Sequence, residues 1–374
     1  ELNRPSTPQE VTKMGRLLEE ALEAGAFGYS TGLESDVERA CSEKETAQLC
    51  QIVARAGGIY ATHERDKGLR AVEAVEEGVR VAKASGVRLQ VSHIIPRRGS
   101  PPGSLDRVMD LVQKAHDRGI DVGFDAHTRI YGITKLSDAL PAWAFEGGPE
   151  KLAARLRDET TRAEFRSTDS LISNHEIIGW DRVFLYSSHG RPELAGKSFQ
   201  ELSELGGDVF DVMFDLLLAE YQNPHRSLVT FHSYEEEWLR EAFRHPLCTL
   251  ESDATALGID GPLAGEVFLG AYTWASWFFR RCVRETNDFT VEQAVRKLTA
   301  LPAARLGLAD RGLIKEGARA DIAVFDPASF RERGTLEDPN QLADGISHVV
   351  VNGRVAMEDG VLTDIRNGMV LRHR

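Results

Sequence analysis

The chain reads as an α/β protein whose strands run parallel and are joined by crossover helices. Two observations predict this. Amphipathic helical stretches, each stopped by glycine, alternate with short apolar runs, and the unit recurs four times at a spacing of roughly 30 residues. The apolar runs carry little polar alternation and read as buried strands. Such a pattern fits either a closed (β/α)8 barrel or an open doubly wound sheet.

The first helix starts at Thr7-Pro8-Gln9-Glu10, with Thr at the cap, Pro at the first helical position and an acidic residue in the first turn. Leu17, Leu18, Ala21 and Leu22 recur at helical spacing, and Gly25 stops the helix. Ala26-Phe27-Gly28-Tyr29-Ser30 is the strand that follows. A helix over 44–56 ends at Gly57-Gly58 before a strand over 59–63. A helix over 68–85 ends at Gly86 before a strand over 87–93, and a helix over 104–118 ends at Gly119 before a strand over 120–126. Residues 127–246 break the rhythm and are expected to form an insertion, with helices near 149–166, 198–204, 208–221 and 234–243 and short strands near 183–187 and 228–232. A strand over 247–252 resumes the pattern, and helices follow near 266–284, 291–299 and 302–306. The tail turns to short strands at 320–325, 347–351 and 354–357, and Asn352-Gly353 is the strongest hairpin signal in the chain. Two parts are expected: 1–311, with its insertion, and a β-element over 312–374.

Composition narrows the function. The 374 residues carry 45 Lys+Arg against 58 Asp+Glu, a net charge of −13, and so offer no basic face for nucleic acid. Four cysteines (Cys41, Cys50, Cys248, Cys282) without a CxxC are no disulfide framework and fit a reducing, cytoplasmic location. No apolar run is long enough to span a membrane.

Parallel α/β folds place their active sites at the C-terminal ends of the strands. Here those ends read Thr62-His63-Glu64-Arg65, Ser92-His93, Asp125-Ala126-His127-Thr128-Arg129 and Glu251-Ser252-Asp253. Two histidines and an aspartate at one rim suit Zn²⁺, which takes imidazole nitrogen and carboxylate oxygen. His116, His175, His225, His348 and His373 fall on helices, loops or the tail and read as surface or cap residues. His189, His232 and His245 stay open.

On further stretches the chain resembles the N-acyl-D-amino-acid deacylases (D-aminoacylases) of the amidohydrolase superfamily. The matching runs are Gly25-Ala26-Phe27-Gly28-Tyr29-Ser30-Thr31-Gly32-Leu33-Glu34, Tyr60-Ala61-Thr62-His63-Glu64-Arg65, Gln90-Val91-Ser92-His93, Leu194-Ala195-Gly196-Lys197-Ser198 and Ser252-Asp253. The longest match runs from Ala294 through Arg305-Leu306-Gly307-Leu308, Asp310-Arg311-Gly312 and Ala320-Asp321-Ile322 to Val350-Val351-Asn352-Gly353. The resemblance implies the C-terminal portion of a (β/α)8 TIM barrel, strands four to eight, with a small β-sandwich element at the C-terminus. It also implies a zinc-dependent amidohydrolase acting on a linear amide such as an N-acyl-D-amino acid, with one or two ions. His63, His93 and Asp253 take the places of the family's metal ligands, and Asp253 that of its general base and acid. Asp253 would take a proton from the metal-bound water, whose hydroxide attacks the amide carbonyl, and then protonate the leaving amine. Arg65, Ser92, His127 and Arg129 stand where the substrate would be held.

Three departures follow. Ile95 stands where the family usually has a lysine, and is followed by Pro96-Arg97-Arg98; His127-Thr128-Arg129 replaces an aromatic Tyr-Pro-Tyr. Arg129 or Arg97 is then a candidate for gripping a substrate carboxylate. No two histidines stand in a His-x-His pair, and Cys41 comes too late to be the family's ligating cysteine. The chain opens on Glu1-Leu2-Asn3-Arg4-Pro5, without an initiator Met or a signal sequence, so a complementary N-terminal chain or segment completing the barrel is expected. The alternatives are a cyclic amidase of the hydantoinase or dihydroorotase kind, against which the Ser-Thr-Gly-Leu and Ala-Thr-His-Glu-Arg runs argue, and a non-catalytic subunit supporting a partner.

Overall fold

The computed structural model describes residues 4–35, 38–254, 256–258, 260–261, 263, 267–268 and 270–373. α1 (Pro8–Glu23) opens on a capping box in which the Thr7 hydroxyl accepts from Glu10 N and the Glu10 carboxylate accepts from Thr7 N. The alternation then runs β1 (Gly28–Gly32), α2 (Glu43–Arg55), β2 (Ile59–His63), α3 (Ala71–Ser85), β3 (Arg88–Val91), α4 (Ser104–Asp117) and β4 (Val122–His127). α3 starts three residues later than its periodicity suggests. The Asp66 carboxylate accepts from the backbone N–H of Gly68 and Arg70 and holds that stretch as a loop.

The insertion follows β4. It comprises β5 (Gly132–Lys135), α5 (Pro149–Arg157), α6 (Glu159–Ser167), β6 (Val183–Ser187), α7 (Phe199–Gly206), α8 (Val209–Ala219) and β7 (Leu228–Phe231). Its antiparallel sheet, in the order β5-β7-β6, packs on a core of its own that includes Leu156, Phe165, Phe199, Phe214 and Val229. The single helix expected over 149–166 is two, because Asp158 ends α5 and its carboxylate then caps α6 through Thr161 N. α9 (Glu236–Arg244) buries Leu239, Ala242 and Phe243 in the main core, so the insertion's own core ends at Phe231 and the inserted module is shorter than 127–246.

β8 (Cys248–Glu251) pairs with β4 in parallel, giving a five-stranded sheet in the order β1-β2-β3-β4-β8. That is the order of five consecutive barrel strands. Inside the curve of the sheet, Gln90 Nε2 donates to Asp125 Oδ2 (2.8 Å) and Thr249 Oγ1 (3.3 Å), a polar floor beneath the rim.

The helix expected over 266–284 is shorter. Residues 266 and 269 lie outside the described residues; α10 (Trp274–Phe278) follows and widens into a π-helical turn over Phe279–Glu285. α11 (Val291–Leu298) and α12 (Ala300–Arg305) lead to an antiparallel sheet of β9 (Ile322–Phe325), β10 (Ile346–Val351), β11 (Arg354–Glu358) and β12 (Val361–Leu362). The Asn352-Gly353 hairpin joins β10 to β11 with both residues at positive φ (47° and 79°), the turn geometry that matches strand twist.

Candidate active site

The register of the sheet gathers the rim. Gly32 pairs with His63 and Leu33 N donates to His63 O, so the loop after β1 folds over the end of β2 and carries Glu34 to its imidazole. Ser92 N donates to Thr62 O, which carries His93 to the same place. His93 then takes a left-handed backbone (φ 40°) with its N–H 2.5 Å from Asp125 Oδ1. That kink turns its ring to His63, the centroids 4.6 Å apart and the planes at 71°.

His63 Nδ1 and His93 Nε2 lie 3.2 Å apart. Two ligands of one tetrahedral zinc at about 2.0–2.1 Å are separated by roughly 3.3 Å, so these two nitrogens have the spacing of a shared ion. The fit is partial. A catalytic zinc takes three protein ligands, and among the described residues no group of three or more His, Cys, Asp or Glu is placed to hold an ion. Asp253 is therefore not gathered with the two histidines; its carboxylate pairs with Arg129 (2.6 Å).

Behind the pair stand residues to which the sequence reading gave no role. Glu34, 1% exposed, receives both terminal nitrogens of Arg97 at 2.5 Å, His63 Nε2 at 2.9 Å and Asn174 Nδ2 at 3.2 Å. Burial works against its ionisation, yet the Arg97 charge and the His63 hydrogen bond hold its carboxyl well below the usual range. Lys67, buried beside Glu64, donates to His93 Nδ1 (2.8 Å) and to the His93 carbonyl. Burial, then the charge of Lys67, keep His93 neutral, and the Lys67 hydrogen bond to Nδ1 leaves its proton on Nε2, which donates to His63 Nδ1 until an ion replaces it. Glu34 sits in the Ser30-Thr31-Gly32-Leu33-Glu34 run, where its place one strand from His63 was the available signal. Lys67 had none beyond its nearness to His63.

The other expected site residues separate. Arg97 is buried in its fork with Glu34, which withdraws it as a carboxylate grip for substrate. Arg65 is tied down by Glu77 (2.7 and 2.9 Å) and the carbonyls of Arg39 and Cys41, contacts that fasten the β1 and β2 loops to α3. Ser92 is fixed through its backbone. His127 is buried against Tyr234 (ring centroids 4.7 Å) with Nδ1 unpartnered among the described residues, and burial, then Arg129, hold it neutral. Across the sheet from it Glu251 is pushed well above the carboxylate range by burial, then by Asp125 and Asp253. Arg129 donates to Ser252 O and lies 5.5 Å from the Phe268 ring centre. Phe268 in turn lines a cleft of about 1040 Å³, together with Leu263, Val267, Lys135, Asp138, His225 and Arg226. His175, read as a surface or cap residue, is buried; it stacks on Phe231 (3.7 Å) because Leu171 O fixes its Nδ1.

Residues 246–357 match the amidohydrolase family. The chain is 29% identical over 374 residues to the D-aminoacylase of Alcaligenes xylosoxydans xylosoxydans, covering 99% of this chain and 66% of the relative. It is 30% identical to an N-acyl-D-aspartate deacylase of the same organism, over 98% of this chain and 64% of the relative. The solved structure of N-acyl-D-glutamate deacylase from Bordetella bronchiseptica, complexed with zinc and a phosphonate inhibitor, superposes with a TM-score of 0.75 at 26% identity, over the whole of this chain and 68% of that one. The chain thus spans just under two thirds of the length of the curated relatives it matches. No helix among the described residues is long and apolar enough to cross a membrane. Two rim histidines on successive parallel strands go with these matches: the chain is similar over nearly its whole length to the N-acyl-D-amino-acid deacylases, and its residues 246–357 match the amidohydrolase family.

Proposed function

We propose that the protein is a zinc-dependent amidohydrolase that cleaves a linear amide, an N-acyl-D-amino acid, and that His63 and His93 hold the ion. The 3.2 Å approach of His63 Nδ1 to His93 Nε2 at the C-terminal rim carries this reading. A zinc ion there would polarise the amide carbonyl and lower the pKa of water toward about 7. Asp253 would be the proton carrier, its carboxylate holding a proton and passing it to the leaving nitrogen. Arg129 fixes the Asp253 carboxylate while it does so. The reading includes a complementary N-terminal chain or segment that pairs with the open edge of β1 and completes the ligand set.

The test is release of free D-amino acid from N-acetyl-D-amino acids, with acidic side chains included, by the full-length protein. Activity is expected to disappear on dialysis against a chelator and return with stoichiometric Zn²⁺. Turnover indifferent to chelation, or no amide cleavage by a zinc-loaded protein, overturns the reading.

A further inference from the structure

We propose that Glu34 is a positioning residue: it holds His63 with the Nδ1 lone pair turned toward His93 Nε2, and Arg97 and Asn174 hold Glu34 in place. The proposal rests on the zinc-dependent reading above and assigns a determinant of the ligand geometry to the loop after β1.

The proton inventory carries it. A carboxylate accepts hydrogen bonds and donates none. Glu34 is ionised between the two arms of Arg97, so the contact of 2.9 Å to His63 Nε2 is an N–H donated by the histidine. A neutral imidazole with its proton on Nε2 has its lone pair on Nδ1. Nδ1 is the nitrogen that faces His93. Were the proton on Nδ1, the ring would present an N–H to the ion and a lone pair to a carboxylate, two repulsive contacts at once.

The arrangement holds together residues from four separate segments. Glu34 comes from the loop after β1, His63 from the end of β2, Arg97 from the loop after β3, and Asn174 from the insertion. A buried ion pair by itself is a weak source of stability, because removing two charges from water costs nearly what their attraction returns. Glu34 is instead the point where the insertion, the β3 loop and one ligand nitrogen meet. A carboxylate behind a ligating imidazole fixes its tautomer and raises its basicity, and losing such a partner weakens metal binding by about 10–100-fold.

The experiment uses the full-length protein with Glu34→Leu and Glu34→Gln. Histidine ¹⁵N shifts of the metal-free wild type report the His63 tautomer, and competition with a chelator gives the affinity for Zn²⁺ and Co²⁺. The wild type is expected to carry the His63 proton on Nε2. Glu34→Leu should mix the tautomers and bind zinc about 10–100-fold more weakly. Glu34→Gln, whose amide oxygen still accepts from Nε2–H, should recover most of that loss. Wild-type tautomer and affinity in a folded Glu34→Leu protein overturn the proposal. If Glu34→Leu does not fold, the wild-type spectrum decides, and a His63 proton on Nδ1 overturns it. A wild type that binds neither ion, with His63 on the Nε2–H tautomer, overturns the zinc reading and leaves the Glu34 assignment standing.

Discussion

Arg129 grips Asp253 at both ends: its Nη2 lies 2.6 Å from Asp253 Oδ2, while its Nη1 donates to the carbonyl of the preceding Ser252. Asp253 has a left-handed backbone (φ 46°), uncommon for a non-glycine residue though less so for an aspartate. Removing the grip frees both the carboxylate and the kinked backbone. Arg129→Ala should therefore lower kcat by about 10²-fold, the effect of misplacing a catalytic group by about 1 Å, with a small change in KM. Steady-state kinetics on an N-acyl-D-amino acid separate this from direct substrate binding, in which KM would rise and kcat hold.

Changing His63 or His93 to Ala should abolish zinc retention, while His127→Ala leaves it intact. His127 packs against Tyr234, and among the described residues it forms no three-ligand group with the pair. Metal content after gel filtration is the measurement, and a zinc-free His127→Ala protein alongside a zinc-loaded His93→Ala protein would reverse the assignment.

Lys67 opposes an ion at this site in two ways. Its charge lies against His93, and its hydrogen bond to Nδ1 places the His93 proton on Nε2, the nitrogen facing His63. Lys67→Met should tighten zinc binding, by roughly tenfold for about 1.4 kcal/mol of relieved repulsion. It should also destabilise the fold by about 3 kcal/mol, since Glu64 is left buried without its cation. Zinc titration and chemical denaturation of one protein give both numbers, and unchanged affinity would refute the first.

The scaffold was legible because its signals are local. Glycine stops, capping residues and apolar periods mark the helices and strands one at a time, and the Asn352-Gly353 turn needs no tertiary information. The place of His63 and His93 at the rim was legible for the same reason, since His63 ends β2 and His93 follows β3 by two residues. What surrounds them was not. Arg65, Arg97 and Arg129 look alike in sequence, and only the fold shows that the first ties loops to a helix, the second forks onto Glu34 and the third grips Asp253. The break at Asp158 was missed because one helical period runs across it, although an aspartate three residues before Thr161 is itself a cap signal. The boundary near α9 was missed because amphipathicity does not say which of two cores a face joins.

Asp288 gives a stability prediction away from the site. Its carboxylate, on the loop before α11, takes Arg240 (2.7 Å), Arg244 (2.5 Å) and Thr286 (2.6 Å), which pins α9 against the turn that follows the π-helical segment. Burial works against its ionisation, but these hydrogen bonds and charges prevail and hold the carboxyl far below its ordinary value. A depressed carboxyl contributes stability that is fully present above the unfolded value, about 4, and is lost as the pH falls through the folded one. Asp288→Asn keeps the shape and loses the charge. At pH 7 it should therefore cost about 2 kcal/mol, the scale of hydrogen bonds to a charged group. The gap between wild type and variant should stay level from pH 7 to about 5 and narrow below pH 4, as the carboxyl of the unfolded wild type takes up a proton that the folded one still refuses. Denaturation across that range measures the gap, and a difference that widens on acidification would show that the Arg240 and Arg244 contacts do not stabilise the ionised form.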